Sequence, residues 1–126
     1  MDNSKVSLQV MADALSMKNP RDWGTYARIL RKYVLDEGVL TMEEAVRKMT
    51  SLPARFLGLQ DRGIVREGFW ADLVVFDPDT VKNVATYGEP CLFPKGIPYV
   101  LVNGKLAIDE GKHTGALAGK VLRYST

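Results

Sequence analysis

Residues 99–108 read YVLVNGKLAI, and this stretch decides how the second half of the chain folds. Asn103-Gly104 stands between two apolar runs, and this dipeptide favours a type I′ turn, whose twist matches that of a two-stranded hairpin. Residues 109–111 (DEG) then end the second run. The sequence therefore predicts a β-hairpin that turns at these two residues.

Two further strands are predicted outward from the hairpin. Residues 71–76 (ADLVVF) form a short apolar run ended by Asp77-Pro78, which is typical of a buried strand followed by a turn. Residues 120–124 (KVLRY) predict a last strand. Residues 82–98 are interrupted by prolines and glycines and are predicted to be mostly loop.

The first half of the chain shows helical patterns instead. Apolar residues recur at three- and four-residue spacing over 22–35, which predicts an amphipathic helix. Thr41 and Glu44 form a capping box, in which each side chain accepts a hydrogen bond from the backbone of the other residue. Pro53 is expected to end that second helix near 51–52 and to open a short third one.

Helices thus precede strands, with the change near residue 60. This segregation predicts the α+β class, or two parts of something larger. A chain of 126 residues is long enough for one compact domain with a modest core.

The composition excludes several classes of protein. The 17 basic and 15 acidic residues are interspersed, so no basic block predicts nucleic-acid binding. The apolar runs are too short for a membrane span, and the N-terminus lacks the pattern of a signal peptide. Cys91 is the single cysteine, so an internal disulfide is impossible and a cytoplasmic location is expected. Without a histidine nearby in sequence, Cys91 is expected to be a buried or half-buried structural residue.

Residues 63–77 (GIVREGFWADLVVFD) resemble the C-terminal signature of the amidohydrolase superfamily, as do 102–104 and 111–115. Residues 19–34 and 43–55 are similar to the N-acyl-D-amino-acid deacylase (D-aminoacylase) branch of that superfamily. The sequence departs from the branch at Asn19, where His-Pro-Arg is usual, and in residues 1–9, which match nothing in the family.

The resemblance implies a fold and an activity. Residues 1–60 would correspond to helices from the end of a (β/α)₈ barrel, and residues 61–126 to part of a small β-sandwich. The chain would then be the C-terminal portion of a zinc-dependent enzyme that hydrolyses N-acyl-D-amino acids to a carboxylate and a D-amino acid. The alternative is a non-catalytic module that associates with itself.

Zinc in this family is held by histidines and other ligands from several strand ends. The metal lowers the pKa of bound water, and a carboxylate moves the proton to the leaving amine. This chain has a single histidine, His113, so one copy cannot assemble a histidine-rich site, and no zinc is expected in the chain alone. His113 matches the family's tail, which favours a solvent-facing or hydrogen-bonded turn histidine over a metal ligand.

Two residues are candidates for inherited site roles. Asp13 resembles the catalytic aspartate of the family, and the alternative is an aspartate on a helix surface or at an N-cap. Arg21 resembles the arginine that holds the substrate carboxylate, a task that suits the guanidinium fork. The alternative for Arg21 is a surface arginine beside Asp22.

Four other residues are given structural roles. Asp72 resembles a family position within a strand, where a hydrogen-bonding role is favoured over catalysis. Trp23, Tyr26 and Tyr33 are expected to pack rather than to contact substrate. Because a family sandwich draws strands from both ends of the polypeptide, this portion would leave apolar faces and sheet edges uncovered. We therefore expect a homodimer or a higher homo-oligomer.

Overall fold

The computed structural model describes residues 19–123. Helices come first, as α1 (Pro20–Arg28), a π-helix (Ile29–Asp36) that continues it, α2 (Met42–Met49) and α3 (Ser51–Phe56). Strands follow, as β1 (Leu73–Val75), β2 (Tyr99–Val102), β3 (Lys105–Asp109) and β4 (Lys112–His113). The predicted α+β class is confirmed. No helix in this described part of the chain is long and apolar enough to cross a membrane.

The helix predicted over 22–35 is confirmed, but its second half has π-helical geometry. Asn19 caps the start, because its side-chain oxygen accepts a hydrogen bond from the Arg21 amide at 2.9 Å. Pro20 occupies the first helical position, where no amide is needed. At the other end the Glu37 amide donates to the Lys32 carbonyl at 2.9 Å, a five-residue step that widens the last turn.

The capping box at the start of α2 is only half formed. The Glu44 amide donates to the Thr41 hydroxyl at 3.2 Å, as predicted. The Glu44 carboxylate, however, accepts two hydrogen bonds of 3.0 Å from Arg47. A charged, bidentate partner one turn along the helix is a stronger attraction than the Thr41 amide, so the return bond is not made.

The break between α2 and α3 lies earlier than predicted. Helix α2 ends at Met49, and α3 already begins at Ser51, so Pro53 lies inside the first turn of α3. The first four amides of a helix have no partner within it, and a proline among them therefore removes no hydrogen bond.

The four strands form one antiparallel sheet in the order β1-β2-β3-β4. The predicted type I′ hairpin is confirmed by positive φ angles of 50° at Asn103 and 78° at Gly104. A second tight turn at Glu110 and Gly111, with φ angles of 47° and 78°, leads into the short strand β4, which was not predicted.

The prediction of a strand at 120–124 is wrong for residues 120–123, which are the described part of that range. Residues 120–123 have irregular backbone, and no described strand pairs with them. Alternating apolar residues become a strand only where a partner supplies the hydrogen-bond ladder. Here the preceding backbone is bound instead by a side chain, since the Asn103 amide group donates to the Ala118 carbonyl at 2.6 Å.

The small core joins the helices to the loop that follows β1. Its buried members are Ala27, Leu30, Ala45 and Val81, with Phe76 and Ile97 among the partly buried residues around them. The segment 82–98 is mostly loop, as predicted, apart from one antiparallel bridge between Lys82 and Lys95. At Gly96, with φ of 77°, a Cβ would lie 2.4 Å from the Val81 amide nitrogen, so glycine is required for this contact.

Candidate functional site

A surface groove lies between α1 and the end of the 82–98 loop. It has a volume of about 390 Å³, within the range of small-ligand sites. Helix α1 contributes one side, and two loop residues contribute the other. The groove is lined by Arg21, Asp22, Trp23, Thr25, Tyr26, Ala27, Pro94 and Ile97.

Local sequence fixes the helical side of the groove. The Asn19 cap holds the first turn, and the Thr25 hydroxyl donates to the Arg21 carbonyl at 2.5 Å. Gly24 allows the helix to approach the loop, because a Cβ there would lie 1.8 Å from the side-chain oxygen of Asn83. That same oxygen accepts a hydrogen bond from the Ala85 amide at 3.0 Å, which fixes the loop at the contact.

An aromatic contact lies next to the groove, between Trp23, which lines it, and Phe93, which is not among its lining residues. Trp23 and Phe93 meet edge to face, with ring centroids 5.2 Å apart and planes at 75°. Phe93 is 71% exposed and Tyr26 is 66% exposed. The expectation that Tyr26 packs is therefore wrong among the described residues, although its neighbour Ala27 is buried. Tyr33 is partly buried, with the Lys32 ammonium 5.5 Å from its ring centroid.

Arg21 carries the positive charge of this groove. Its side chain is exposed, and no carboxylate of residues 19–123 lies within ion-pair distance of it. It also lies in the first turn of α1, where the backbone amides favour anions. The guanidinium can therefore accept an incoming carboxylate without first giving up a protein partner. Asp13, the other candidate, lies outside the described residues.

Asp72 has the structural role that was predicted for it. One carboxylate oxygen accepts a hydrogen bond from the Asn103 amide at 2.7 Å, and the other accepts from Arg62. Arg62 also donates to the Asn103 side-chain oxygen at 2.7 Å. Arg62 was missed by sequence reasoning, because nothing in the neighbouring Asp61 and Gly63 signals a contact with residues 41 positions away.

The remaining nucleophilic and metal-binding side chains are dispersed. His113 is exposed in β4, and its Nδ1 accepts a hydrogen bond from the Gly115 amide at 2.9 Å. Cys91 is a free, half-buried thiol, as expected. Between residues 19 and 123 no group of three histidine, cysteine, aspartate or glutamate side chains is placed to hold a metal. The described residues therefore do not fit a zinc ion.

Comparison with known proteins identifies the family. A sequence profile described as the amidohydrolase family matches residues 7–108, which include both Asp13 and Arg21. The expectation that residues 1–9 match nothing in the family is therefore wrong for residues 7–9. The chain belongs to the amidohydrolase family. Within this family, it is 55% identical to the N-acyl-D-glutamate deacylase of Alcaligenes xylosoxydans xylosoxydans over 86 residues, or 68% of this chain and 18% of the relative. It is 47% identical to the D-aminoacylase of the same organism, over 82% of this chain and 22% of the relative.

Solved amidohydrolase structures contain the same arrangement. A crystal structure of D-aminoacylase matches 82% of this chain with a TM-score of 0.79 and 47% identity. The N-acyl-D-glutamate deacylase of Bordetella bronchiseptica, solved with zinc and a phosphonate inhibitor, matches 71% with a TM-score of 0.69 and 50% identity. This chain covers 22% and 19% of those two chains. It therefore spans about a fifth of the length of the relatives that it matches.

Proposed function

We infer that this chain is a portion of a zinc-dependent N-acyl-D-amino-acid deacylase, in which Arg21 binds the substrate carboxylate. The observation that carries this proposal is the sequence identity of 45–55% between this chain and three such deacylases. The TM-score of 0.80 to a D-aminoacylase structure supports a shared local fold as well. The groove at Arg21 supplies the expected chemistry, namely an exposed cation without a carboxylate partner among the described residues.

The carboxylate would bind in two ways at once. A guanidinium offers two parallel N–H donors, which fit a carboxylate in a bidentate, charge-assisted pair. The first turn of α1 adds its backbone dipole. Arg21 would thereby fix the substrate by one end and orient its amide, which is a positioning contribution to the rate. Asp13 is proposed as the residue that accepts the proton of the attacking water, following the family resemblance.

By itself the chain is proposed to be inactive. The described residues provide no metal-binding cluster, so the zinc ligands must come from the rest of a deacylase. The direct test is release of free amine from N-acetyl-D-methionine and from its L-enantiomer, with zinc added. We expect no release by the chain alone. Mixing it with the part of Alcaligenes D-aminoacylase that lies outside the matching segment should restore release from the D-enantiomer only.

Variants of Arg21 separate a specific role in substrate binding from a general effect of positive charge on the helix. In the mixed enzyme, Arg21→Ala should lower kcat/KM by about 100-fold, because a charge-assisted pair is lost. Arg21→Lys should recover part of that loss, since a point charge remains without the fork. Arg28→Ala, which removes an exposed arginine two turns along the same helix, is the matched control and should change little. Equal losses for Arg21→Ala and Arg28→Ala would contradict a specific role for Arg21.

The second candidate function is the non-catalytic, self-associating module. Large apolar side chains on the sheet and the preceding loop favour it, because they are exposed in the described chain: Val65 (84%), Val74 (58%) and Val75 (48%). Apolar side chains exposed in this way can be covered by a second copy or by the rest of a deacylase. Light scattering across a concentration series tests it, with a dimer or larger species expected. A monodisperse monomer would contradict self-association.

A further inference from the structure

Asn103 is the one asparagine of this sequence that is followed by a glycine, and the pair has chemistry beyond its turn. The Gly104 amide nitrogen can attack the side-chain carbonyl carbon of Asn103, Cγ, because glycine has no side chain to hinder the approach. A bond forms between that nitrogen and Cγ, the proton of the nitrogen passes through solvent to the leaving group, and the Cγ–Nδ2 bond breaks to release ammonia. Water then opens the cyclic imide and leaves either aspartate or its β-linked isomer, isoaspartate.

The three polar atoms that this reaction uses are each held by a hydrogen bond. The Gly104 amide, which is the nucleophile, donates to the Ala71 carbonyl at 3.0 Å. The Asn103 side-chain nitrogen, which is the leaving group, donates to the Ala118 carbonyl at 2.6 Å. The side-chain oxygen accepts from Arg62 at 2.7 Å. Ring closure moves the side chain and the amide toward each other, so these contacts must first be given up at a cost in free energy.

Arg62 has two opposing effects on this chemistry. Its guanidinium draws electrons from the side-chain oxygen of Asn103, which by itself makes Cγ easier to attack. It also holds that oxygen in place, since its own side chain is 9% exposed and bound to Asp72. Polarisation speeds the reaction only after the nucleophile and Cγ have met, so the restraint decides the rate.

Conversion of the amide to an acid would remove the bond that anchors the tail, by which we mean residues 117–123. A carboxylate only accepts hydrogen bonds, so it would face the Ala118 carbonyl without a donor. Further along the tail the Lys120 ammonium lies 4.0 Å from the Trp70 ring centroid. Residues 120–123 also form one side of a pocket of about 340 Å³, whose other side consists of residues 58–62 and Trp70. The modification would therefore loosen this side of the pocket.

We propose that Asn103 is a latent deamidation site, which the folded chain protects and whose conversion to aspartate or isoaspartate releases the tail. The protection comes from the contacts of the turn with Arg62, Ala71 and Ala118. The proposal does not depend on the deacylase assignment, because it concerns only the chemistry of this turn.

The rate of deamidation in the folded and unfolded chain is the first test. The full 126-residue chain is incubated at one pH and temperature, with and without guanidinium chloride, and residue 103 is followed by peptide mass spectrometry. We expect the folded chain to react at least about tenfold more slowly, because several hydrogen bonds must break first. Asn83, which precedes a valine, is the internal reference and should react slowly in both states. An equal or faster rate at Asn103 in the folded chain would overturn the proposal.

Two lysine variants test the part that the tail plays in protection. Lys120→Ala removes the cation above the Trp70 ring and should raise the folded-state rate at Asn103 several-fold. Lys112→Ala, which removes an exposed lysine of β4 outside the tail, is the matched control and should leave the rate unchanged. In guanidinium chloride both variants should react like the unmodified chain. The same folded-state rate in both variants would overturn protection by the tail.

Asn103→Asp reproduces the aspartate product and tests release of the tail. Limited trypsin digestion should cut after Lys120 and Arg123 several-fold faster in this variant than in the unmodified chain. Cleavage after Arg47, in α2, is the internal reference and should proceed at the same rate in both. Unchanged cleavage of the tail would overturn its release. Equal acceleration at Arg47 would also overturn it, because the whole chain would then be opening.

Discussion

Two arginines of this chain occupy opposite kinds of environment. Arg62 has a side chain only 9% exposed, and its two terminal nitrogens donate to Asp72 and Asn103, while its buried Nε makes no hydrogen bond to the described residues. Arg21 is exposed at the groove, with its backbone held by the Asn19 cap and no carboxylate of the described residues paired to it. Removing one partner of an enclosed charge pair destabilises a fold, whereas an unpaired charge on a rigid support is available to a ligand. Predictions that separate stability from binding therefore test this comparison.

The largest effect is expected from Arg62→Ala. It would leave Asp72 without its cation and the Asn103 side-chain oxygen without a donor, while the side-chain carboxylate of Asp72 is 35% exposed. Loss of an enclosed partner typically costs about 3–5 kcal/mol, and partial hydration of Asp72 reduces this to about 2–3 kcal/mol. Urea unfolding followed by circular dichroism measures the change.

Arg66→Ala is the control. It removes an exposed arginine beside Phe69 and should cost less than about 0.5 kcal/mol. Similar costs for the two variants would contradict a structural role for Arg62.

A second, smaller loss of stability is expected from Gly24→Ala. Alanine ordinarily stabilises a helix interior by up to about 1 kcal/mol relative to glycine. Here the added Cβ would lie 1.8 Å from the Asn83 side-chain oxygen, so Asn83 must move and release the Ala85 amide. We expect a net cost of about 1–2 kcal/mol in urea unfolding.

The double variant Gly24→Ala with Asn83→Ala shows whether this contact is the cause. The two changes should be non-additive, because Asn83→Ala removes the atom that the new methyl group meets. Additive costs would mean that the close approach of α1 to the loop does not limit residue 24. The same unfolding measurement bears on the comparison of the two arginines, since it tests how firmly helix α1, which carries Arg21, is held against the loop.

Arg21→Ala should leave stability within about 0.5 kcal/mol of the unmodified chain, in contrast to Arg62→Ala. The guanidinium makes no hydrogen bond or ion pair with the other described residues, and the Asn19 cap uses only the backbone amide. Urea unfolding measured in parallel for the two variants checks this. A loss above 1 kcal/mol would show that Arg21 stabilises the fold, and it would weaken the case for a ligand-binding role.

The same two arginines show what could be predicted from sequence. The Asn103-Gly104 turn and the Thr41 cap depend on neighbouring residues, and the sequence was sufficient to predict them. Arg62 meets Asn103 across 41 positions, and its partner depends on how the sheet is placed, which no local pattern encodes. The wrongly predicted strand at 120–124 has the same cause, because a strand requires a partner elsewhere in the chain. Arg21 was singled out by family resemblance, and the sequence contained no sign of the groove that it lines.

The smallest effect concerns Asp77, a carboxylate that is satisfied on the surface. The Thr80 hydroxyl donates to it at 2.7 Å and the Asp79 amide at 3.0 Å, and these bonds lower the pKa of the Asp77 carboxyl below its usual value. A lowered folded-state pKa contributes stability above the unfolded-state pKa, and this contribution is lost as the pH falls through the folded-state value.

Thr80→Val should therefore raise the pKa of Asp77, because it removes the hydrogen bond that lowers this pKa most. Carboxyl-carbon NMR titration measures this, and Thr86→Val, which acts on the Glu89 amide instead, should leave it unchanged. If Thr80→Val did not move the titration, the surface hydrogen bond would be too weak to bias the carboxylate.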